Sequence, residues 1–251
     1  MRPPVSIEET FPARFCLNLD RRPDRRLRAW DQFRRAQLDV ERLAAPDAVE
    51  MRIIESRGYE KPGPRACAAA HRLAWRSAER RGAEAVLILE DDVVLVDSFR
   101  KKLEACLLNL PANWQLFYLG GVFRDPPELI APGLVRVWGR TWDMHAYAVR
   151  KEAFATLHRL VAPLSWRRSR ITTAVACTPQ LCERDVPDVV PTPMAIDTVI
   201  PSIHSRFPTY AAWPLLAWQS EGLSNNENAR RGNYTPDGLQ VLCTEAVAHL
   251  P

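Results

Sequence analysis

No apolar stretch of the 251-residue chain approaches the roughly 18 to 20 residues that a bilayer-spanning helix requires. Met1 to Phe11 lacks the basic opening and apolar core of a secretory leader, which points to a cytoplasmic protein. Internal repeats and low-complexity tracts are missing, and repeated CxxC pairs are too. The six cysteines are scattered. Cys16, Cys67 and Cys106 lie among apolar residues, the pattern of reduced core thiols rather than of a disulfide framework or zinc site. Cys177 and Cys182, in an irregular Pro-containing segment, are the pair to watch. Lysine occurs at only four positions, so the basic residues are nearly all arginine, and the net charge is +4. That is too little for the basic stripe of a nucleic-acid binder and leaves nucleic acid an unfavoured partner, but it suits an anionic substrate such as a nucleoside diphosphate. Glycine is sparse, and none follows the first apolar run, which removes the Gly-rich phosphate loop of a nucleotidyltransferase-like site.

What is present is an ordinary globular balance of 47% hydrophobic and 25% charged residues, ample for a core. Arg14 to Leu19 reads as a buried strand, and Pro23 is placed to open a helix whose apolar face holds Leu27, Trp30 and Phe33. Residues 41–48 read as a second strand running into a turn. A helix over 65–81 puts Cys67, Ala70, His71, Ala74, Trp75 and Ala78 on one stripe, with Gly82 ending it. Ala85 to Leu89 is a continuous apolar run of buried-strand type. Ser98 is placed to cap a helix reaching Asn109. Further strands are expected at 114–119, 134–138 and 145–149, a helix at 151–161 and a short helix near 196–205. Residues 163–195 read as a long loop or lid, and the last 45 residues as irregular. Alternating buried strands and helices predict a three-layer α/β fold with a mostly parallel central sheet and a loop-rich C-terminal third folded over its edge.

The most informative feature is Glu90-Asp91-Asp92 at the end of an apolar strand. Ligands bind beyond the carboxyl ends of strands in open α/β sheets. Carboxylates clustered there repel one another unless a cation neutralises them, and oxygen ligands select a hard ion, Mg²⁺ or Mn²⁺, that bridges to substrate phosphates. A solvated acidic turn is the competing reading of the triplet alone.

Several blocks in the right order resemble glycosyltransferase family 25. They are Phe15-Cys-Leu-Asn-Leu-Asp-Arg-Arg-Pro-Asp-Arg25, then Glu41 to Ala48 with alanine at position 48 where the family has glycine. Gly63 to His71 follows, with Ala70 in place of a serine, and then Ala85 to Leu95 (AVLILEDDVVL). His145 to Ala153, Pro193 to Asp197, and Pro214 with Gln219 and Ser224 are weaker matches. The resemblance spans roughly residues 13–226. It implies a GT-A-like fold, a UDP-sugar donor with galactose commonest, and inversion at the anomeric carbon. It also implies one glycosyltransferase domain over 1–251, with a nucleotide-sugar half at 13–122 and an acceptor half at 123–251. By the same resemblance Asn18, Asp20, Arg21 and Arg25 line the nucleotide pocket. Glu90 and Asp92 hold Mn²⁺ or Mg²⁺, with Asp91 between them. Asp197 is the general base or an acceptor anchor.

Other residues admit two readings. His71 is a core histidine or a substrate contact at the donor pocket. His204, or else Asp143 with His145, completes the metal shell. Of the four arginines after the first strand, Arg25 is the best phosphate partner. Gly120-Gly121 permits close approach of a ligand or makes a tight turn. Trp142, Trp213 and Trp218 stack on sugars or pack in the core, and 213–218 is either core or a peripheral membrane contact. The acceptor hydroxyl belongs to a cell-surface glycan such as lipopolysaccharide, or to a protein or nucleic-acid base. Ala48 and Ala70 leave room for a degenerate, non-catalytic binder of the donor.

Overall fold

Strand alternation gives this chain two cores, one on each face of a single sheet. The computed structural model describes residues 5–48, 62–161, 196–220, 222–223 and 230–231. The cysteines 177, 182 and 243, Ser224 and the expected loop 163–195 lie outside them. The sheet comprises β1 (Ala13–Asn18), β2 (Glu41–Ala44), β3 (Ala85–Glu90), β5 (Leu116–Phe123), β6 (Glu128–Ala131), β7 (Leu134–Arg136), β8 (Thr141–Arg150) and β9 (Thr209–Ala212). Their order is β2-β1-β3-β8-β5-β9-β7-β6. β1 runs parallel to β2 and β3, and β9 parallel to β5, whereas β8 and β7 are antiparallel to both of their neighbours. All strands but these two therefore point the same way, so the central sheet is mostly parallel in direction.

On one face Phe15, Leu17, Val86, Ile88, Leu116, Tyr118, Tyr147 and Val149 pack with α3 (Pro62–Arg80), α5 (Lys151–Leu160) and the short helix Ile196–Val199. On the other face Cys16, Leu87, Leu89, Phe117, Leu119, Ala146 and Ala148 pack with α1 (Ile7–Thr10), α2 (Pro23–Arg35) and α4 (Phe99–Leu107). The period-two alternation of side chains sorts each strand between the two helical layers. The result is the expected three-layer fold.

Pro23 opens α2, since its missing N–H is one that the first turn leaves unbonded anyway. Of the face predicted for this helix, Phe33 is buried and Trp30 packs against the core, but Leu27 is 70% exposed. Ala29 takes the inward place instead. Ser98 does not cap α4. It sits at φ 57°, and its side chain makes no cap hydrogen bond.

The largest departure lies in the C-terminal third. It contributes β9, inside the main sheet between β5 and β7, and β10 (Ala217–Gln219), which pairs antiparallel with β4 (Val93–Leu95). Residues 209–212 and 217–219 are thus part of the scaffold rather than a flap over its edge, and strands from 13–122 and from 123–251 share the main sheet. Trp213 and Trp218 pack against the core, while Leu215, Leu216 and Ala217 are buried, so residues 213–218 offer no apolar face to a membrane. No described helix is long and apolar enough to cross one.

Leu87 in the middle of β3 is fully buried between β1 and β8. Leu87→Ala is expected to cost about 3 kcal/mol, the transfer term plus the cavity left behind. Urea unfolding checks this, and a loss below about 1 kcal/mol contradicts the assigned packing.

Candidate active site

A cleft opens where β1 and β3 end side by side. The register that pairs Leu17 with Glu90 brings the turn after Asn18 against the acidic triplet. Arg21, Arg25, Cys67, Glu90, Asp91, Asp92, Asp143, Asp197 and Gln219 line it. Residues remote in sequence thus meet at one place, beyond the carboxyl ends of parallel strands where α/β sheets bind ligands.

Asp91 is the inward member of the triplet. It is buried, accepts from Asn18 Nδ2 at 2.7 Å and accepts from Arg25 at 3.0 Å. Burial pushes its carboxyl above the ordinary range, and the bonds from Asn18 and Arg25 work against that rise. Arg25 also reaches Asp92 at 3.3 Å. One guanidinium, with only 11% of its side chain exposed, therefore serves two carboxylates.

Asn18, expected against the nucleotide, is spent on the protein. Its amide donates to Arg22 O at 3.0 Å as well as to Asp91, and its oxygen accepts from Arg42 at 2.9 Å. It is buried and does not line the cleft. Asp20 is also outside the lining, with 72% of its side chain exposed and an ion pair to Arg42. A residue two positions beyond a strand end is carried out on the turn. Arg21 does line the cleft, paired with the buried Asp47.

Glu90 is held on both oxygens. Oε1 lies 3.2 Å from His71 Nε2 and accepts from Cys67 Sγ at 3.8 Å, while Oε2 accepts from Gln219 Nε2 at 3.4 Å. His71 is fully buried, and its other nitrogen is 2.9 Å from Tyr147 Oη. It acts through Glu90 and does not line the cleft, contrary to a donor-pocket contact.

His204 does not join the acidic cluster. It is completely buried, with Nδ1 donating to Gly139 O at 2.7 Å and Nε2 2.8 Å from Tyr118 Oη. A carbonyl only accepts, so Nδ1 carries the proton and Nε2 accepts from the phenol. Both nitrogens are used, and burial holds the imidazolium down at about 4. Here the histidine is core architecture, and the expected metal-ligand role does not fit it. Of the alternative pair, Asp143 lines the cleft at φ 56°, a left-handed conformation that aspartate tolerates better than most residues. His145 is buried away from it, against Gly120. A methyl on Gly120 would lie 2.2 Å from that imidazole and 2.6 Å from Ala217 O, so this glycine serves internal packing rather than a ligand.

Asp197, at the start of its short helix, lines the cleft in partial exposure rather than in deep burial. It is near enough to Tyr118 to add to the rise that burial imposes on that phenol. Sequence reasoning missed Cys67 as a cleft residue and Asp47 as the partner of Arg21. The i, i+4 spacing of Cys67 and His71 on α3 was the available signal for the first. Trp142 is 45% exposed with the Arg124 guanidinium 4.3 Å from its ring centroid.

Residues 11–125 match the family model described as glycosyltransferase family 25 (LPS biosynthesis protein). The match covers a little under half of the chain and agrees with the motifs that segment carries. The Inactive glycosyltransferase 25 family member 3 of Mus musculus is 29% identical, over 64% of this chain and 32% of that protein. Procollagen galactosyltransferase 1-B of Xenopus laevis is 29% identical, over 52% of this chain and 25% of that one. The chain thus spans about a third or less of these curated relatives. A glycosyltransferase involved in the glycosylation of the major capsid of PBCV-1 superposes with TM-score 0.40 at 10% identity, covering 91% of this chain and 98% of that one.

Two outcomes follow from these contacts. An unfolded His204 titrates near 6.5 and the folded one near 4, so between these values the unfolded chain binds the extra proton. Stability from this group is complete above pH 6.5 and falls as pH drops toward 4, by about 2 to 3 kcal/mol between pH 7 and pH 4.5. Urea unfolding at the two pH values shows it, and the loss must be visibly smaller in His204→Asn. Arg25→Ala strands the buried Asp91 carboxylate and is expected to cost about 3 kcal/mol. Adding Asp91→Asn should restore part of that loss, and a strictly additive double variant contradicts the pairing.

Proposed function

We propose that this chain is a glycosyltransferase that moves a hexose from a UDP-sugar to an acceptor hydroxyl. The observation that carries the reading is the convergence on one cleft of Glu90 and Asp92, of Asp143 and Asp197 from later segments, and of Arg21 and Arg25. The carboxylates supply only oxygen donors, a set that fits Mn²⁺ or Mg²⁺. Glu90 and Asp92 would hold the ion. When bound, it neutralises charge developing on the departing nucleoside diphosphate.

The remaining roles fall to the chain's own groups. Arg21 and Arg25 offer guanidinium N–H donors to phosphate oxygens. Asp91 and Asp47 fix those arginines from behind. Asn18 holds Asp91 and so sets the turn without touching substrate. Asp197, across the cleft in partial exposure, takes the proton of the attacking hydroxyl as general base. The match to the family 25 model and the relatives named procollagen galactosyltransferase support galactose as the transferred sugar. The family's LPS-biosynthesis description supports a cell-surface glycan as the acceptor.

A second reading is donor binding without turnover. It is favoured by Ala48 and Ala70, which stand in the cleft lining where the family pattern has glycine and serine, and by the relatives that are named inactive.

UDP release from UDP-galactose, UDP-glucose and their N-acetyl forms, measured with and without Mn²⁺, separates the two. Under the transferase reading one donor is hydrolysed slowly in a Mn²⁺-dependent manner, and Asp92→Asn lowers the rate about 100-fold. Metal-dependent UDP binding with no release from any donor or donor–acceptor pair selects the second reading. No binding at all removes the donor-site assignment.

A further inference from the structure

The cleft wall carries a donor set of different chemistry from its acidic mouth. Cys67 and His71 sit one turn apart on α3, on the face turned toward the end of β3. The Cys67 thiol, a His71 ring nitrogen and a Glu90 carboxylate oxygen all lie within 4.8 Å of one another. We propose that Cys67, His71 and Glu90 bind one zinc ion, Glu90 through Oε1 alone so that Oε2 is left to the hard ion at Asp92, with the fourth zinc position open to the cleft.

Geometry argues for it first. Tetrahedral zinc, with bonds near 2.3 Å to sulfur and 2.0 to 2.1 Å to nitrogen or oxygen, sets its ligand atoms about 3.3 to 3.6 Å apart. Glu90 Oε1 stands 3.2 Å from His71 Nε2 and 3.8 Å from Cys67 Sγ. The remaining pair, Cys67 and His71, lies within 4.8 Å, so a contraction of about 1 Å completes the set.

The chemistry of the donors points the same way. Sulfur and imidazole prefer zinc over the hard ions that the neighbouring carboxylates suit. His71 is oriented as a zinc ligand must be, because its far nitrogen meets Tyr147 Oη at 2.9 Å. Tyr147 is fully buried, and its hydroxyl oxygen accepts the Nδ1–H and fixes Nε2 toward the ion. Binding releases the Cys67 thiol proton to solvent as the Zn–S bond forms. Cys67 and Glu90 line the cleft, whereas His71 reaches in from the core. Three protein ligands with one open side is the pattern of a zinc that takes water or substrate, unlike a closed structural site.

This inference does not rest on the transferase reading, and its test reads spectra rather than turnover. The full chain, reduced and stripped of metal, is titrated with Co²⁺. The expected result is a thiolate-to-cobalt charge-transfer band that saturates at one equivalent and is displaced by Zn²⁺ but not by Mn²⁺. Cys67→Ser should abolish the band and weaken zinc binding by about tenfold or more. Asp92→Asn should keep both, because that residue belongs to the hard-cation pair. A wild-type protein without the band overturns the proposal, whatever the variants do. A band unchanged in Cys67→Ser assigns the ion to other cysteines and overturns it equally. So does loss of the band in Asp92→Asn with the fold intact by circular dichroism.

Discussion

The end of β3 is organised by the burial of one carboxylate. Asp91 points into the protein, where an ionised group costs several kcal/mol unless hydrogen-bonded and paired. Asn18 and Arg25 meet that need from the turn after β1. That turn is thereby pinned to the turn after β3, and the flanking Glu90 and Asp92 are left on the cleft. Arg25 is held where a phosphate would meet it, with two acids behind it. The chemistry of the mouth thus depends on the one acid of the triplet that is buried.

Much of this was legible locally. The continuous run Ala85 to Leu89 announces a strand buried on both faces, and three acids at its end mark the ligand-binding edge. Pro23 announces the start of α2. Arg25 stands out because a helix beginning at Pro23 returns it toward the strand ends. What stayed hidden depends on partners far along the chain. Nothing around Asn18 says that its amide is already committed to Asp91, 73 residues away. Nothing around His204 shows that a phenol and a carbonyl will take both of its nitrogens. The short runs Thr209–Ala212 and Ala217–Gln219 carry too little pattern to be read as strands, and only the vacancies beside β5 and β4 make them so.

His71 and His204 show how similar positions diverge. Each is wholly buried and each bonds a tyrosine of the inner sheet layer. The second contact decides the difference. His204 turns its other nitrogen to a backbone carbonyl and closes on itself, while His71 turns to the carboxylate of Glu90 at the cleft. One secures the floor, and the other transmits the core's rigidity to a cleft residue.

The placement of β9 between β5 and β7 has a consequence for biosynthesis. On the ribosome the family-like segment emerges before β8 and β9, yet β3 has no partner on its far side until β8 is made, and β5 has none on its far side until residue 209 appears. Until then β3 and β5 present open, apolar edges of the kind that pair with other chains. The sheet closes only through contacts of long sequence separation, which form slowly. The hydrophobic strands that make the cleft so well supported therefore leave the nascent chain dependent on shielding until nearly all of the sheet has been synthesised.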